Sequence, residues 1–180
     1  MKQTPRILAV ALALASTALG STALVAQQQT PPLSPPAKAE GVVAGQTITV
    51  DYSSPRMRGR KIMGELVPYG KVWRTGANAA TTLTTESDLM IGTLHVPAGK
   101  YTLFTIPGET EWTLIVNKQT GQWGTRYDEA QDLGRTKMTV TKLEKPLEEM
   151  TIAIRPGSGG TGVLAVEWES TSATVPVVVH

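Results

Sequence analysis

Positive charge is concentrated in one stretch of the chain, residues 54–78. The stretch contains a single acid, Glu65, against six cations, which are Arg56, Arg58, Arg60, Lys61, Lys71 and Arg74. Arginine side chains bind carboxylates and phosphates through paired hydrogen bonds. Tyr69 and Trp73 lie among the cations, and aromatic faces suit stacking on sugars and cation–π contacts. The stretch therefore predicts a recognition surface for an anionic saccharide, a carboxylated small molecule or an acidic protein segment.

Ion pairing within the chain is the competing interpretation of these arginines. In an extended segment Arg56, Arg58 and Arg60 would project from one face, because side chains alternate along a strand. Glu167 and Glu169 also share a face and could lie opposite them. Exposed pairs contribute only about 0–1 kcal/mol each, but they would remove the need for a ligand. Under the ligand hypothesis, a non-catalytic binding or accessory module uses Arg60, Lys61, Tyr69, Trp73, Arg74 and Asn78.

The aromatic side chains have an alternative role in the core. The chain has only one phenylalanine, so its few large rings are needed to fill the interior. Trp112 is predicted to be buried, and core packing is favoured over a ligand contact for Trp73 and Trp123. Tyr69 lies in a Pro-Tyr-Gly turn, where we expect a partly exposed ring.

Recognisable catalytic elements are sparse. His95 is the only histidine besides the terminal His180, so a Ser–His–acid triad would have to use it, and the chain has no Gly-x-Ser-x-Gly elbow. With no cysteine and no histidine pair, a zinc site is not expected, nor is any cofactor. A structural or assembly role is one alternative function. Another is a hydrolase with two carboxylates about 5–10 Å apart, drawn from Glu65, Glu111 and Asp128.

The N-terminus predicts export from the cytoplasm. Lys2 and Arg6 precede an apolar run at residues 7–15 and then small residues through Ala26, which is the pattern of a signal peptide. Cleavage after Ala26 is favoured, with sites after Ala23 and Gly20 as alternatives. We therefore expect a soluble periplasmic or extracellular protein. The chain has 17 Lys and Arg against 15 Asp and Glu, so removal of Lys2 and Arg6 leaves a formal charge of zero. A neutral protein is not expected to bind nucleic acid.

Short alternating strands must position the candidate residues. Ile48, Val50 and Tyr52 alternate with polar residues, as a strand with one buried face requires. Similar runs recur at residues 89–96, 100–106, 111–117, 137–143, 150–154, 162–168 and 174–179, with Gly/Pro turns between them. Such spacing favours an all-β fold, an antiparallel β-sandwich that is jelly-roll-like or a partly open barrel. We expect at most one short helix, at 127–133, a disordered proline-rich leader at 27–40 and one domain at 41–180.

Several strings in the chain match the pattern of one bacterial family. They read GRK at 59–61, LVPYGKVWRTGAN at 66–78, PAGKYTLFTIP at 97–107, EWT at 111–113, QWG at 122–124, YD at 127–128 and EWE at 167–169. Between about residues 47 and 177 the chain resembles an uncharacterised secreted family, domain of unknown function 2911. The resemblance implies an exported β-sandwich-like domain. It implies no reaction and no catalytic residue.

Overall fold

Nine antiparallel strands form one sheet in the computed structural model, which describes residues 32–180. The strands are β1 (Pro36–Val43), β2 (Gln46–Ser53), β3 (Thr82–Thr85), β4 (Leu89–Ile91), β5 (Leu94–Val96), β6 (Gly99–Ile106), β7 (Glu111–Asn117), β8 (Asp132–Pro156) and β9 (Thr161–Val179). The predicted all-β, antiparallel fold is therefore confirmed. The predicted signal peptide lies outside the described residues.

The sheet is open and folds back on itself in the manner of a sandwich. Its strand order is β1-β2-β3-β6-β7-β8-β9-β4-β5, so β1 and β5 are the edges. Strand β1 also packs on β8, with which it does not pair. The approach is so close that a Cβ atom on Gly41 would lie 2.5 Å from the carbonyl oxygen of Ile154. This close approach brings buried side chains of β1 and β8 together in the hydrophobic core.

The core contains side chains from nearly every strand. Leu114, Ile115 and Val116 are all fully buried, as expected for β7 in the middle of the sheet with both faces covered. Trp112 and Trp168 are the two largest fully buried side chains, so the prediction for Trp112 is confirmed. Both rings contact Trp73, which belongs to the segment between β2 and β3 that carries the candidate site.

Four of the predicted strands are halves of two long ones. The runs at 137–143 and 150–154 both belong to β8, and those at 162–168 and 174–179 both belong to β9. Pairing between β8 and β9 shifts register between Lys142 and Leu147 and again between Leu147 and Thr151. Such bulges add residues to one strand and interrupt its alternation. The polar residues near each bulge therefore made one strand look like two.

The N-terminal boundary and the run at 89–96 differ from prediction, whereas a short helical element is found where it was expected. Residues 36–40 of the predicted leader are paired with β2 as part of β1, where proline is tolerated because Pro36 is the first residue of the strand. The run at 89–96 is a hairpin of β4 and β5 that turns at Gly92, whose φ is +59°. The helix-tolerant residues 127–133 contain only a 3₁₀ turn, Glu129–Gln131.

Candidate binding site

The candidate site is built on residues 54–81, the long connection between β2 and β3. Its beginning is held by backbone contacts with β8. Ser54 donates from Oγ to the carbonyl of Met150 at 2.7 Å, and the Met57 amide donates to the carbonyl of Glu148 at 2.8 Å. Because a connection of this length needs partners for its polar backbone, strand β8 acts as its platform.

Acidic side chains of the β8–β9 ribbon bind the backbone of the connection. The Glu169 carboxylate accepts from the amides of Ile62, at 3.2 Å, and Met63, at 3.3 Å. The Glu148 carboxylate accepts from the amide of Arg58 at 2.8 Å. Carboxylates that bind amides fix the path of the chain, and these two form no ion pair with an arginine of the connection.

The alternative in which Glu167 and Glu169 neutralise three aligned arginines is wrong. Arg58 and Gly59 have φ angles of +51° and +71°, so the segment turns here and does not run extended. The turn separates side chains that a strand would have aligned. Glu167 instead binds Arg155 within the β8–β9 ribbon.

The first two arginines of the connection are satisfied within the described chain. Arg56 forms an ion pair with Glu149. Arg58 donates from Nη2 to the carbonyl of Leu33 at 3.0 Å. Internal pairing thus accounts for Arg56, although with a different acid from the one predicted, whereas Arg58 has only a carbonyl partner, and neither residue lines the cavity described below.

Arg60 has carbonyl partners but no acid. It donates from Nε to the carbonyl of Met57 at 2.9 Å and from Nη2 to that of Arg56 at 2.7 Å. These bonds hold the guanidinium in place without cancelling its charge. Among residues 32–180, no carboxylate forms an ion pair with it.

Trp73 connects the site to the core. Its amide donates to the Thr105 carbonyl at 2.7 Å, and the Thr105 amide donates back at 2.9 Å. Its ring stacks on Trp168, with centroids 6.1 Å and planes 17° apart, and meets Trp112 edge-on at 6.0 Å. Core packing of Trp73 is thus confirmed, although the ring is only partly buried. The same prediction for Trp123 is wrong, because 53% of that side chain is exposed.

The turn after Trp73 has an unusual backbone. Thr75 is fully buried and has φ +52°, and Asn78 has φ +57°. Left-handed backbone is rare for a β-branched residue, and such strain, of order 1–3 kcal/mol per residue, gathers at ligand sites. The Thr81 hydroxyl holds the Thr75 carbonyl at 2.8 Å. This turn aims Arg74 and Asn78 toward one space.

That space is a cavity of about 300 Å³, which we call the first cavity. Four of the six predicted ligand-binding residues line it, namely Arg60, Trp73, Arg74 and Asn78. The remaining lining residues are Ser34, Pro55, Leu66, Val67, Gly76, Ala77 and Trp168. The first cavity thus combines two guanidiniums, an amide and aromatic surface, and no carboxylate lines it.

Arg74 differs from the other arginines of the connection because it has no internal acceptor. In the described part of the chain it forms no ion pair. Every hydrogen bond from a guanidinium there comes from Arg58, Arg60, Arg135 or Arg155. Its charge is therefore available to a ligand.

Two predicted residues lie outside the first cavity. Lys61 forms an ion pair with Glu65, four residues along the chain, with 3.5 Å between Nζ and the carboxylate, and both side chains are more than half exposed. Tyr69 is 38% exposed, as expected, and its ring covers Gly64, where a Cβ atom would lie 3.0 Å from it. Neither residue is among those that line the first cavity.

Two lining residues lie outside the stretch 54–78 in which the sequence predicted the recognition surface. Trp168 stands within the EWE string and could have been found there, since it is a large ring beside two acids. Ser34 lies in the proline-rich segment and has no distinguishing signal. It reaches the site because its carbonyl accepts from Nδ2 of Asn78 at 3.3 Å.

The carboxylates proposed for a hydrolase do not converge. Glu65 pairs with Lys61, Glu111 pairs with Lys137 at 3.0 Å, and Asp128 caps the 3₁₀ turn by accepting from the Ala130 amide. Across residues 32–180, no three acidic or histidine side chains are arranged to hold a metal ion.

His95 is locally hydrogen-bonded, as expected for an isolated ring at a strand end. It lies 3.1 Å from the Asp88 carboxylate. The pKa of Asp88 is lowered from its ordinary value, chiefly because the carboxylate accepts from the Ala98 amide and also because of His95. Both side chains are about half exposed, so the pair resembles a surface contact.

Comparison with known proteins gives a family and no function. A family model described as "Protein of unknown function (DUF2911)" matches residues 34–177, a range that includes every residue lining the first cavity. No curated protein and no solved structure matches the chain. Within the described residues, no helix is long and apolar enough to cross a membrane.

Proposed function

We propose a ligand-binding function for this chain, which belongs to the DUF2911 family of proteins of unknown function. In this proposal the first cavity binds the carboxylate of a small acidic molecule, with an acidic sugar as the preferred class. The protein acts as a non-catalytic binding or accessory module. The observation that carries the proposal is Arg74, a partly buried residue that lines the first cavity and has no acceptor for its guanidinium among residues 32–180.

The charge in the first cavity favours an anion. Arg60 and Arg74 line the same space, and no carboxylate of the described chain offsets either of them. Like charges in one site repel, and a bound anion replaces that repulsion with charge-assisted hydrogen bonds. Because Arg60 is already fixed by two carbonyls, little side-chain freedom is lost when it binds a ligand.

The shape of the first cavity favours a small molecule over an acidic protein segment. At about 300 Å³ it is concave and reaches the lower end of ligand sites, which are about 300–1,000 Å³. Trp73 and Trp168 supply ring surface beside the cations, and Asn78 supplies an amide. Rings next to polar groups are the environment in which sugars stack and hydrogen-bond.

A panel of pure compounds tests this proposal by thermal shift. The probes are glucuronic and galacturonic acid, succinate, glucose 6-phosphate, and glucose as the neutral control. We expect the uronic acids to raise Tm and glucose to have no effect. Stabilisation is about 2.7 kcal/mol at a ligand concentration 100 times Kd. A shift from glucose 6-phosphate alone would show that the anion is a phosphate.

Variants then identify the site. Arg74→Ala should weaken binding of a uronic acid about 10- to 100-fold, because a hydrogen bond to a charged group contributes about 1.5–3 kcal/mol. Lys61→Ala is the matched control, since this cation lies outside the first cavity, and it should leave Kd unchanged. Equal binding by Arg74→Ala and the wild type would reject this cavity as the site.

Export is a second part of the proposal. The pattern of residues 1–26 supports a signal peptide, so the mature protein is proposed to work in the periplasm or outside the cell. Expression in a Gram-negative host followed by cell fractionation and N-terminal sequencing tests this. We expect a periplasmic protein that begins at Gln27, and a cytoplasmic protein with an intact N-terminus would contradict export.

A further inference from the structure

A second cavity lies next to the first and shares two of its walls. It has a volume of about 190 Å³, and Trp73 and Arg74 line both cavities. The rest of its lining includes Val72, Thr125 and Tyr127. Because Trp73 and Arg74 border both spaces, the two cavities are adjacent at this part of the connection.

The wall of the second cavity is fixed before any ligand arrives. The Tyr127 hydroxyl donates to the Asp132 carboxylate at 2.7 Å and accepts from Arg135 at 2.8 Å. The Tyr127 ring meets Phe104 edge-on with centroids 4.9 Å apart. Burial, together with the bond to Asp132, raises the pKa of Tyr127 to about 12. The ring is therefore a neutral, rigid surface.

Gly124 keeps the two cavities adjacent. A Cβ atom at this position would lie 2.6 Å from Cδ of Arg74 and 2.8 Å from the carbonyl oxygen of Asn78. Contacts this short do not occur without displacement of the neighbouring atoms. The absence of a side chain at Gly124 thus lets the Arg74 stem lie between the two cavities.

The two cavities differ in charge. The first contains two guanidiniums, whereas Arg74 is the only ionisable cation or acid among the described residues that line the second. The acids behind Tyr127 are already engaged, since Asp132 and Glu129 both pair with Arg135. The second cavity therefore fits an uncharged ring with hydroxyl groups, for which Thr125 and Tyr127 are polar and stacking neighbours.

We infer that the two cavities are subsites of one site, and that its ligand is an acidic sugar linked to a neutral sugar. This inference rests on the proposed function and specifies its ligand. The acidic unit occupies the first cavity, the neutral unit occupies the second, and Arg74 lies at the linkage. Together the cavities come well within the volume range of ligand sites, about 300–1,000 Å³, which the second alone does not reach.

Calorimetric titration of the full mature protein with three sugars tests the inference. The probes are glucuronic acid, cellobiouronic acid (glucuronic acid linked to glucose) and cellobiose as the neutral control. We expect cellobiouronic acid to bind at least about tenfold more tightly than glucuronic acid, a gain of about 1.4 kcal/mol. Thr125→Trp fills the second cavity, and Thr110→Trp, on an exposed turn elsewhere, is the matched control.

The variants separate the inference from the function on which it rests. Thr125→Trp should remove the disaccharide gain and leave the Kd for glucuronic acid within about twofold, whereas Thr110→Trp should keep the gain. Equal affinity of the wild type for the two acids, or a gain that survives in Thr125→Trp, would overturn the inference alone. Failure of both acids to bind would overturn the proposed function as well.

Discussion

Arginines in two regions of the molecule differ in whether an acidic side chain pairs with them. On strand β8, Arg155 forms a bidentate pair with Glu167, with distances of 3.0 and 2.6 Å, and Arg135 binds both Asp132 and Glu129. In the β2–β3 connection, Arg60 is held only by carbonyls and Arg74 has no acceptor within the described chain. The two arginines of β8 are thus paired with acids, whereas Arg60 and Arg74 of the connection have no acidic partner within the described chain.

This difference separates structural charge from functional charge. A buried carboxylate such as Glu167, which also accepts from the Ser172 hydroxyl at 2.9 Å, is costly to leave unpaired. A partly exposed guanidinium such as Arg74 costs far less to leave free, because water solvates it. An unpaired arginine in a concave site can therefore persist in the folded protein until an anion binds.

The largest expected effect concerns how the connection is anchored. Trp73→Ala removes a ring packed between Trp168 and Trp112, and we expect unfolding free energy to fall by about 3 kcal/mol. Trp123→Ala is the control, since that ring is mostly exposed, and the expected change is within about 0.5 kcal/mol. Urea unfolding measures both. Similar losses in the two variants would show that Trp73 does not join the connection to the core.

The next largest effect is expected from removing the paired Arg155, compared with removing Arg74, which is unpaired within residues 32–180. Arg155→Met leaves the Glu167 carboxylate without its cation, and unfolding free energy should fall by about 1–3 kcal/mol, toward the lower end because Arg155 is half exposed. Arg74→Met should change it by no more than about 0.5 kcal/mol. Urea unfolding at neutral pH measures both variants. An equally large loss in Arg74→Met would mean that Arg74 has a structural partner, and the distinction between the two arginines would be wrong.

Acid titration tests the Arg155–Glu167 pair through the protonation of the Glu167 carboxylate. The pKa of Glu167 is lowered below its ordinary value of 4.5, first by hydrogen bonds from Arg155 and then by Ser172. A lowered folded-state pKa stabilises the protein above the unfolded pKa, and this stabilisation is lost as pH falls through the folded value. Unfolding free energy of the wild type should therefore decline below about pH 4.5 more steeply than that of Glu167→Gln. Parallel curves would show that the pair does not shift this titration.

The smallest expected effect is at Lys61. Its pair with Glu65 is exposed on both sides, and such pairs contribute about 0–1 kcal/mol. Lys61→Ala should therefore change neither the urea midpoint nor uronic-acid affinity measurably. A loss of affinity would extend the site beyond the first cavity and return Lys61 to the recognition surface.

Much of the fold could be predicted because side-chain alternation is a local property. The run at 111–117 coincides with β7, and the unbroken apolar series Leu114, Ile115 and Val116 fits the place of this strand in the middle of the sheet. The lengths of β8 and β9 could not be predicted, because their bulges keep two strands paired through stretches where alternation fails. Strand β1 was partly missed, since Pro36 and the prolines before it indicated a leader and its pairing with β2 is a tertiary contact.

The site was half predictable for a related reason. Clustering of cations and rings identified Arg60, Trp73, Arg74 and Asn78, but an alternation pattern could not show that Arg58 and Gly59 turn the chain. The acids that hold the connection come from residues about 90 to 107 positions away in sequence, and which of them meets which amide depends on the packed fold.

The carboxylates of Glu148 and Glu169 accept hydrogen bonds from main-chain amides of the connection. Any amino acid except proline carries such an amide, so these hydrogen bonds do not depend on which side chain the residue carries. Position 58, whose side chain is exposed, can therefore change without loss of its contact with Glu148, whereas Ile62 and Met63 are buried in the core and are also constrained by packing. The same property makes the connection a natural place to graft new specificities onto this framework by design.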